Sequence, residues 1–215
     1  MSNLISLPLP VLGLIGQHFA SLPQGFRRGD RLPVDSRGVW FIEEGAVRTL
    51  GIDQEGMATT LGIWGPGDIV GGCLLDWEQT DGAGYPPSGS QFKEVECLTE
   101  VQAVLLVVKQ WPDATTALIQ HIQRAQTFNK IQRQRKVLTA VIELLQWLVF
   151  RFGQRVDEGW QINLRLTHQL IAEMVGTTRV TVTRILNDLE QDGIIERNPG
   201  HRLILVDNRK NQQVS

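Results

Sequence analysis

Cysteine is almost missing from this chain: only Cys73 and Cys97 occur in 215 residues. They stand too far apart for a CxxC unit and are too few for a four-thiolate cluster, which excludes iron–sulfur ligation and leaves buried thiols as the expectation. A cationic excess is missing as well. The formal net charge is −2, so nothing draws the whole molecule to nucleic acid, and a DNA contact would have to come from a local basic patch. Nor does any segment approach the ~20 continuous apolar residues of a membrane span, and Met1 to Pro10 has no basic start followed by an apolar run. The expectation is a cytoplasmic protein with no membrane partner. Finally, the four histidines, His18, His121, His168 and His201, are scattered, with none in the strand-rich region described below. No metal or cofactor site is therefore expected, and enzymatic chemistry of the metal-dependent β-barrel kind has no ligand cluster to work with. Glu43 and Glu44 are neighbours on one strand, point to opposite faces, and read as a solvated hairpin end rather than a catalytic pair.

What is present is a globular composition, 42% hydrophobic and 20% charged, at a length that suggests one ordinary domain and a smaller one. From Phe26 to about Val108 short β-type runs alternate with glycine: Val39 to Ile42, Ala46 to Leu50, Thr59 to Trp64, and Val101 to Val108. Close spacing of short strands predicts a barrel or sandwich. Asp53 to Gly56 and Gly65 to Asp68 carry turn chemistry, and 81–90 reads as a surface loop. After Trp111-Pro112 the pattern becomes helical, with Asp113 as the expected N-cap and a mixed stripe through Leu118, Ile122, Ala125, Phe128 or Asn129, and Gln132. A second helix, Val137 to Phe152, carries Val141, Leu144, Leu145, Leu148 and Phe152 on one face. The first helix has no evident partner for its stripe, so pairing with a second copy is expected. The division is then a β-roll over 1–111, a dimerisation helix over 112–136 and a C-terminal domain over 137–215, with a frayed tail from Asn208.

Between Leu166 and Leu189 steric requirements coincide. Thr167 caps a first helix whose inner face is Ile171, Ala172 and Val175, Ala172 being small where a second helix crosses; Gly176 makes the turn; Val182, Ile185, Leu186 and Leu189 pack back. Together they predict a helix-turn-helix. Burial of that stripe turns Thr177, Val180, Thr181 and Arg184 outward with no acid among them, and puts Thr183 at the edge. Thr178 caps the second helix and Arg179 lies in its first turn, where free N–H groups suit a phosphate oxygen. Arginine pairs with guanine in two bonds, threonine bonds phosphate or touches a thymine methyl, and valine offers apolar contact. Residues 193–197 and 201–205, joined at Asn198-Pro199-Gly200, read as a two-stranded wing from which Arg197, His201 and Arg202 could reach the DNA backbone, His201 reading more readily as a solvated loop histidine. An amphipathic hairpin with solvated arginines is the plain alternative.

These residues together resemble the CRP/FNR superfamily of bacterial transcription regulators, over nearly the whole chain. The run from Leu166-Thr167-His168 to Arg184-Ile185-Leu186 carries the resemblance most specifically, and Thr178 to Arg184 is similar to the recognition helix of cyanobacterial global nitrogen regulators. The resemblance implies an α+β chain: an N-terminal double-stranded β-helix of the cyclic-nucleotide-binding, jelly-roll type, a long dimerisation helix and a C-terminal winged helix-turn-helix. It implies a homodimer on a palindromic operator with half-sites like GTA and TAC, and RNA polymerase as a further candidate partner. It also places an effector pocket at Gly71, Gly72, Cys73, Leu74, Ser90 and Gln91. There the match is poorer. Gly72 replaces the glutamate with which cyclic-nucleotide binders hold the ribose, Gly89-Ser90 replaces their phosphate-neutralising Arg-Ser, and Gln91 replaces the arginine that nitrogen regulators turn to a dicarboxylate. Cyclic AMP is accordingly disfavoured, and Gly71 and Gly72 read equally well as turns. The rival to a DNA-binding regulator is an effector-sensing or interaction module that has kept the scaffold and lost DNA binding.

Overall fold

The computed structural model describes residues 22–34, 38–53, 58–71, 90–107, 111–198 and 202–207. Strands β1 (Gln24–Phe26), β2 (Arg31–Leu32), β3 (Gly38–Glu44), β4 (Val47–Asp53), β5 (Ala58–Trp64), β6 (Ile69–Val70), β7 (Ser90–Cys97) and β8 (Val101–Val107) precede helices α1 (Trp111–Gln132) and α2 (Val137–Phe152). Then come β9 (Gly153–Arg155), β10 (Gly159–Ile162), α3 (His168–Val175), α4 (Arg179–Gln191), β11 (Ile195–Asn198) and β12 (Arg202–Val206). The fold is α+β: β-rich sheets first, then helices, then a helix-turn-helix. The chain forms two compact units. Residues 22–34, 38–47, 64–71, 95–107 and 111–122 belong to one, and 48–53, 58–63, 90–94, 123–198 and 202–207 to the other.

In the first unit the sheet order is β1-β8-β3-β6. β3 and β8 pair antiparallel from Gly38↔Val107 to Ile42↔Ala103, with a shift between Ile42 and Glu44. Both faces of β3 are buried, which is why its sequence is a continuous apolar run rather than an alternating one. Val39 and Phe41 join Ile69, Val104 and Leu106 in a core that Ala117 and Leu118 of α1 cover. Trp40 instead meets the edge of Phe26, ring centres 5.3 Å apart, and donates Nε1–H to the Pro33 carbonyl at 2.8 Å. The turn expected at Gly65 to Asp68 forms: Asp68 N–H bonds the Gly65 carbonyl, the Asp68 carboxylate accepts from Gly65 N–H at 2.8 Å, and Gly67 takes φ +83° after Pro66. His121 of α1 lies flat on Trp64, centroids 3.9 Å apart, with Nδ1 at 2.9 Å from the Ile69 carbonyl. Burial lowers its pKa, with the carbonyl bond opposing. Cys97 is a buried thiol pushed up to about 11 by burial, with Asp30 and Glu96 adding, and is chemically quiet. Cys73 lies outside the described residues, as do the turn at 54–56 and the tail from Asn208.

The second unit holds β4, β5 and the first part of β7 in the order β7-β4-β5, together with the C-terminal half of α1 and everything after it. Phe128 of α1 packs on Trp147 of α2, with ring centres 5.7 Å apart. Arg48 of β4 meets Glu173 of α3 at 2.6 Å in a largely buried pair, and the Gln132 amide donates to the carbonyls of Thr60 and Met174 at 2.9 and 3.0 Å. These contacts correct the reading of α1. The stripe expected to form one face divides: Leu118, Phe128 and Gln132 turn to their own chain, while Ile122 stands 55% exposed beside Ile119 at 52%. Glutamine-rich sequence hid the angle between the two faces. The helix also begins at Trp111, two residues before the expected cap at Asp113, because Pro112 is tolerated within a first turn. Strands β9 and β10 were unforeseen; they extend the wing to four strands, β11-β12-β10-β9.

Candidate nucleic-acid interface

Eight residues make α3, and it is closed at both ends. Thr167 Oγ1 accepts from Leu170 N–H at 3.1 Å; at the other end Gly176 takes φ +67°, and Thr177 N–H returns to the Ala172 carbonyl at 3.0 Å. That last bond is the six-residue loop of a Schellman stop, and a left-handed residue there favours glycine. Leu170, Ile171, Ala172, Met174 and Val175 are buried. Helix α4 then starts at once: Thr178 Oγ1 accepts from Thr181 N–H at 3.2 Å and lies 2.9 Å from Thr181 Oγ1. Val182, Ile185, Leu186 and Leu189 are buried, as their spacing requires.

Opposite that stripe α4 presents Arg179, Val180 and Arg184. All three are exposed, Val180 at 78%, a value that apolar side chains reach only where nothing of their own chain covers them. Thr178 is exposed and Thr167, Thr177 and Thr181 are half-buried, with no acid in the first turn of α4. Thr183 differs from its neighbours. Its hydroxyl lies 2.8 Å from His168 Nδ1 and 2.9 Å from the Arg179 carbonyl, inside the angle between the helices.

In the wing, β11 and β12 pair antiparallel from Ile195↔Leu205 to Asn198↔Arg202, and Arg202 is exposed. Arg197 is tied inward, to Glu190 at 2.8 Å and to Asn187 Oδ1 at 2.6 Å, so its charge is spent on α4 rather than presented outward. The acid and amide that hold it lie seven and ten positions upstream, a pairing that the sequence contains but periodicity does not flag. His201 lies outside the described residues. Of the effector-pocket residues, Gly71 follows β6 with φ +136°, a backbone that favours glycine. Gly72, Cys73 and Leu74 lie outside the described residues; Ser90 and Gln91 open β7, their side chains likewise outside. Among the described residues no group of three or more His, Cys, Asp or Glu could hold a metal, and no helix is long and apolar enough to cross a membrane.

The geometry has relatives. Residues 140–211 match the Crp-like helix-turn-helix domain. The chain is 37% identical over 174 residues to the regulatory protein CysR of Synechococcus elongatus, covering 80% of this chain and 77% of that protein. It is 29% identical over 162 residues to the global nitrogen regulator of a Synechocystis strain, covering 73% and 71%. Among solved structures, a CRP-family transcriptional regulator from Thermus thermophilus superposes with a TM-score of 0.70 at 20% identity, covering 88% of this chain and 95% of that one. FixK2 from Bradyrhizobium japonicum gives 0.67 at 15% identity, covering 92% and 98%. A helix-turn-helix built to these rules, inside a chain alike from strands to wing, is that of a non-enzymatic regulator: the protein belongs to the CRP/FNR family of transcriptional regulators.

Proposed function

We propose that the chain acts as a homodimer that reads a palindromic operator through the outward face of α4, without requiring cyclic AMP. The observation that carries the reading is that face itself: Arg179, Val180 and Arg184 exposed together, held at a capped helix start, with the buried stripe behind them. Arginine supplies the planar fork that guanine matches, Val180 an apolar contact for a thymine methyl, and the Thr178 cap region a place for phosphate. A two-fold pair of such helices about one DNA turn, ~34 Å, apart would demand two half-sites in inverted repeat. Similarity of Thr178 to Arg184 to the nitrogen regulators favours half-sites like GTA and TAC.

The test is a mobility shift on duplexes recovered by binding-site selection. Binding should weaken steeply with salt, since phosphate neutralisation releases counterions, and the recovered sites should be palindromic. A protein that selects no sequence and shows no salt slope would be an interaction module on this scaffold. Cyclic AMP is a second test. With Gly72 and Gly89-Ser90 where a glutamate and an Arg-Ser pair would be needed, calorimetry should detect no binding. Micromolar affinity coupled to tighter DNA binding would overturn that part of the reading.

A further inference from the structure

Resting on the reading of α4 as the DNA-reading helix, we propose that His168, which is not itself on that helix, is a positioning residue for sequence recognition. It acts by fixing Thr183 and, through it, the first turn of α4. Thr183 carries a single hydroxyl hydrogen and stands within bonding distance of two groups, the Arg179 carbonyl and His168 Nδ1. The carbonyl can only accept, so both contacts are bonds only when the hydroxyl donates to Arg179 and accepts from an Nδ1–H. With both bonds made, the imidazole carries its proton on Nδ1. His168 opens α3 immediately after the Thr167 cap, while Arg179 opens α4 immediately after the Thr178 cap.

The relay His168 Nδ1–H to Thr183 to the Arg179 carbonyl thus links the start of α3, the end remote from the Gly176 turn, to the first turn of α4. The apolar contacts of Val182, Ile185 and Leu186 resist separation of the helices but are non-directional. A hydrogen bond has a direction, and this one sets the rotation of α4 about its own axis. That rotation decides whether Arg179, Val180 and Arg184 meet base edges together, since planar two-bond pairing tolerates little tilt. Thr183 consequently serves the interface from inside the motif and need not touch DNA.

The relay predicts a defect in discrimination that is out of proportion to any loss of stability. The measurement is the ratio of Kd for a non-operator duplex to Kd for the selected operator, alongside the thermal midpoint. His168→Ala and Thr183→Val should each lower the ratio by roughly tenfold, the scale of one hydrogen bond in each of two heads, and the double variant should lose no more than either alone. Asparagine places an N–H near the position of Nδ1, so His168→Asn should regain most of the ratio, whereas His168→Gln, which places it near Nε2, should not. If His168→Ala folds poorly, the contrast between Asn and Gln still decides. An unchanged ratio, losses that add in the double variant, or equal behaviour of Asn and Gln would overturn the proposal. Failure of the wild type to discriminate would instead overturn the reading of α4 on which it rests.

Discussion

Arg184→Ala is expected to erase the preference for one base pair in each half-site and to weaken operator binding by about 1–3 kcal/mol per half-site. The guanidinium is exposed on the outer face of α4, one turn beyond Val180, with Val182 and Ile185 buried behind it. Only arginine offers two parallel N–H donors in one plane to guanine O6 and N7, so lysine at this position should recover affinity without recovering selectivity. Substitution at an exposed position leaves the buried stripe intact, and the thermal midpoint should stay within the range of neutral surface changes. Arg202 provides the contrast: exposed at the start of β12, it suits a phosphate contact, and its removal should weaken all sequences alike. Binding-site selection with the wild type and both variants separates the roles. A consensus unchanged by Arg184→Ala, with only uniform weakening, would make Arg184 a backbone contact.

The helix-turn-helix was legible because its determinants are local. Caps at Thr167 and Thr178, the left-handed Gly176, the small Ala172 and the stripe from Val182 to Leu189 all act within a few residues of one another, and each occupies its expected place. The β region was legible as strands and turns, as at Gly65 to Asp68, but strand order was not, since pairing β3 with β8 joins residues some sixty positions apart and nothing in a short window encodes it. Long-range polar contacts were likewise hidden. Arg48 reads as a solvated strand charge until β4 meets α3, and Gln132 as one glutamine among many until its amide is found between two carbonyls. His168 and Thr183 fall between these cases. They are fifteen residues apart, yet the motif fixes the crossing of its helices, and the same geometry that turned Arg184 outward would have brought Thr183 to the histidine. At the edge of the helix, where the periodic stripe places Thr183, a residue belongs neither to the core nor to the groove, and its partner is fixed only by the crossing of the two helices.

The outer face of α1 carries the other large expectation. Ile119 and Ile122 are more than half exposed, three residues apart, and continue through Gln126, Asn129 and Arg133 at alternating steps of four and three. In the homodimer proposed above that spacing would serve as the seam of a two-stranded coiled coil, apolar at one end and polar at the other, and polar seam residues fix register at some cost in stability. A copy of the same helix would match this pattern by symmetry. Ile122→Asp would put two carboxylates against each other at the apolar end, where water is excluded and neither has a counter-charge, so association should fail. Because the side chain is exposed within its own chain, the far-UV spectrum should be retained. Sedimentation should then report a monomer for the variant and a dimer for the wild type. DNA affinity should fall by roughly 10²–10⁴, the advantage of tethering a second head, while the preferred half-site stays the same because α4 is untouched. Retention of both dimeric mass and operator affinity in Ile122→Asp would assign the interface to another surface; loss of affinity with dimeric mass retained would show that α1 orients the two heads rather than joins them.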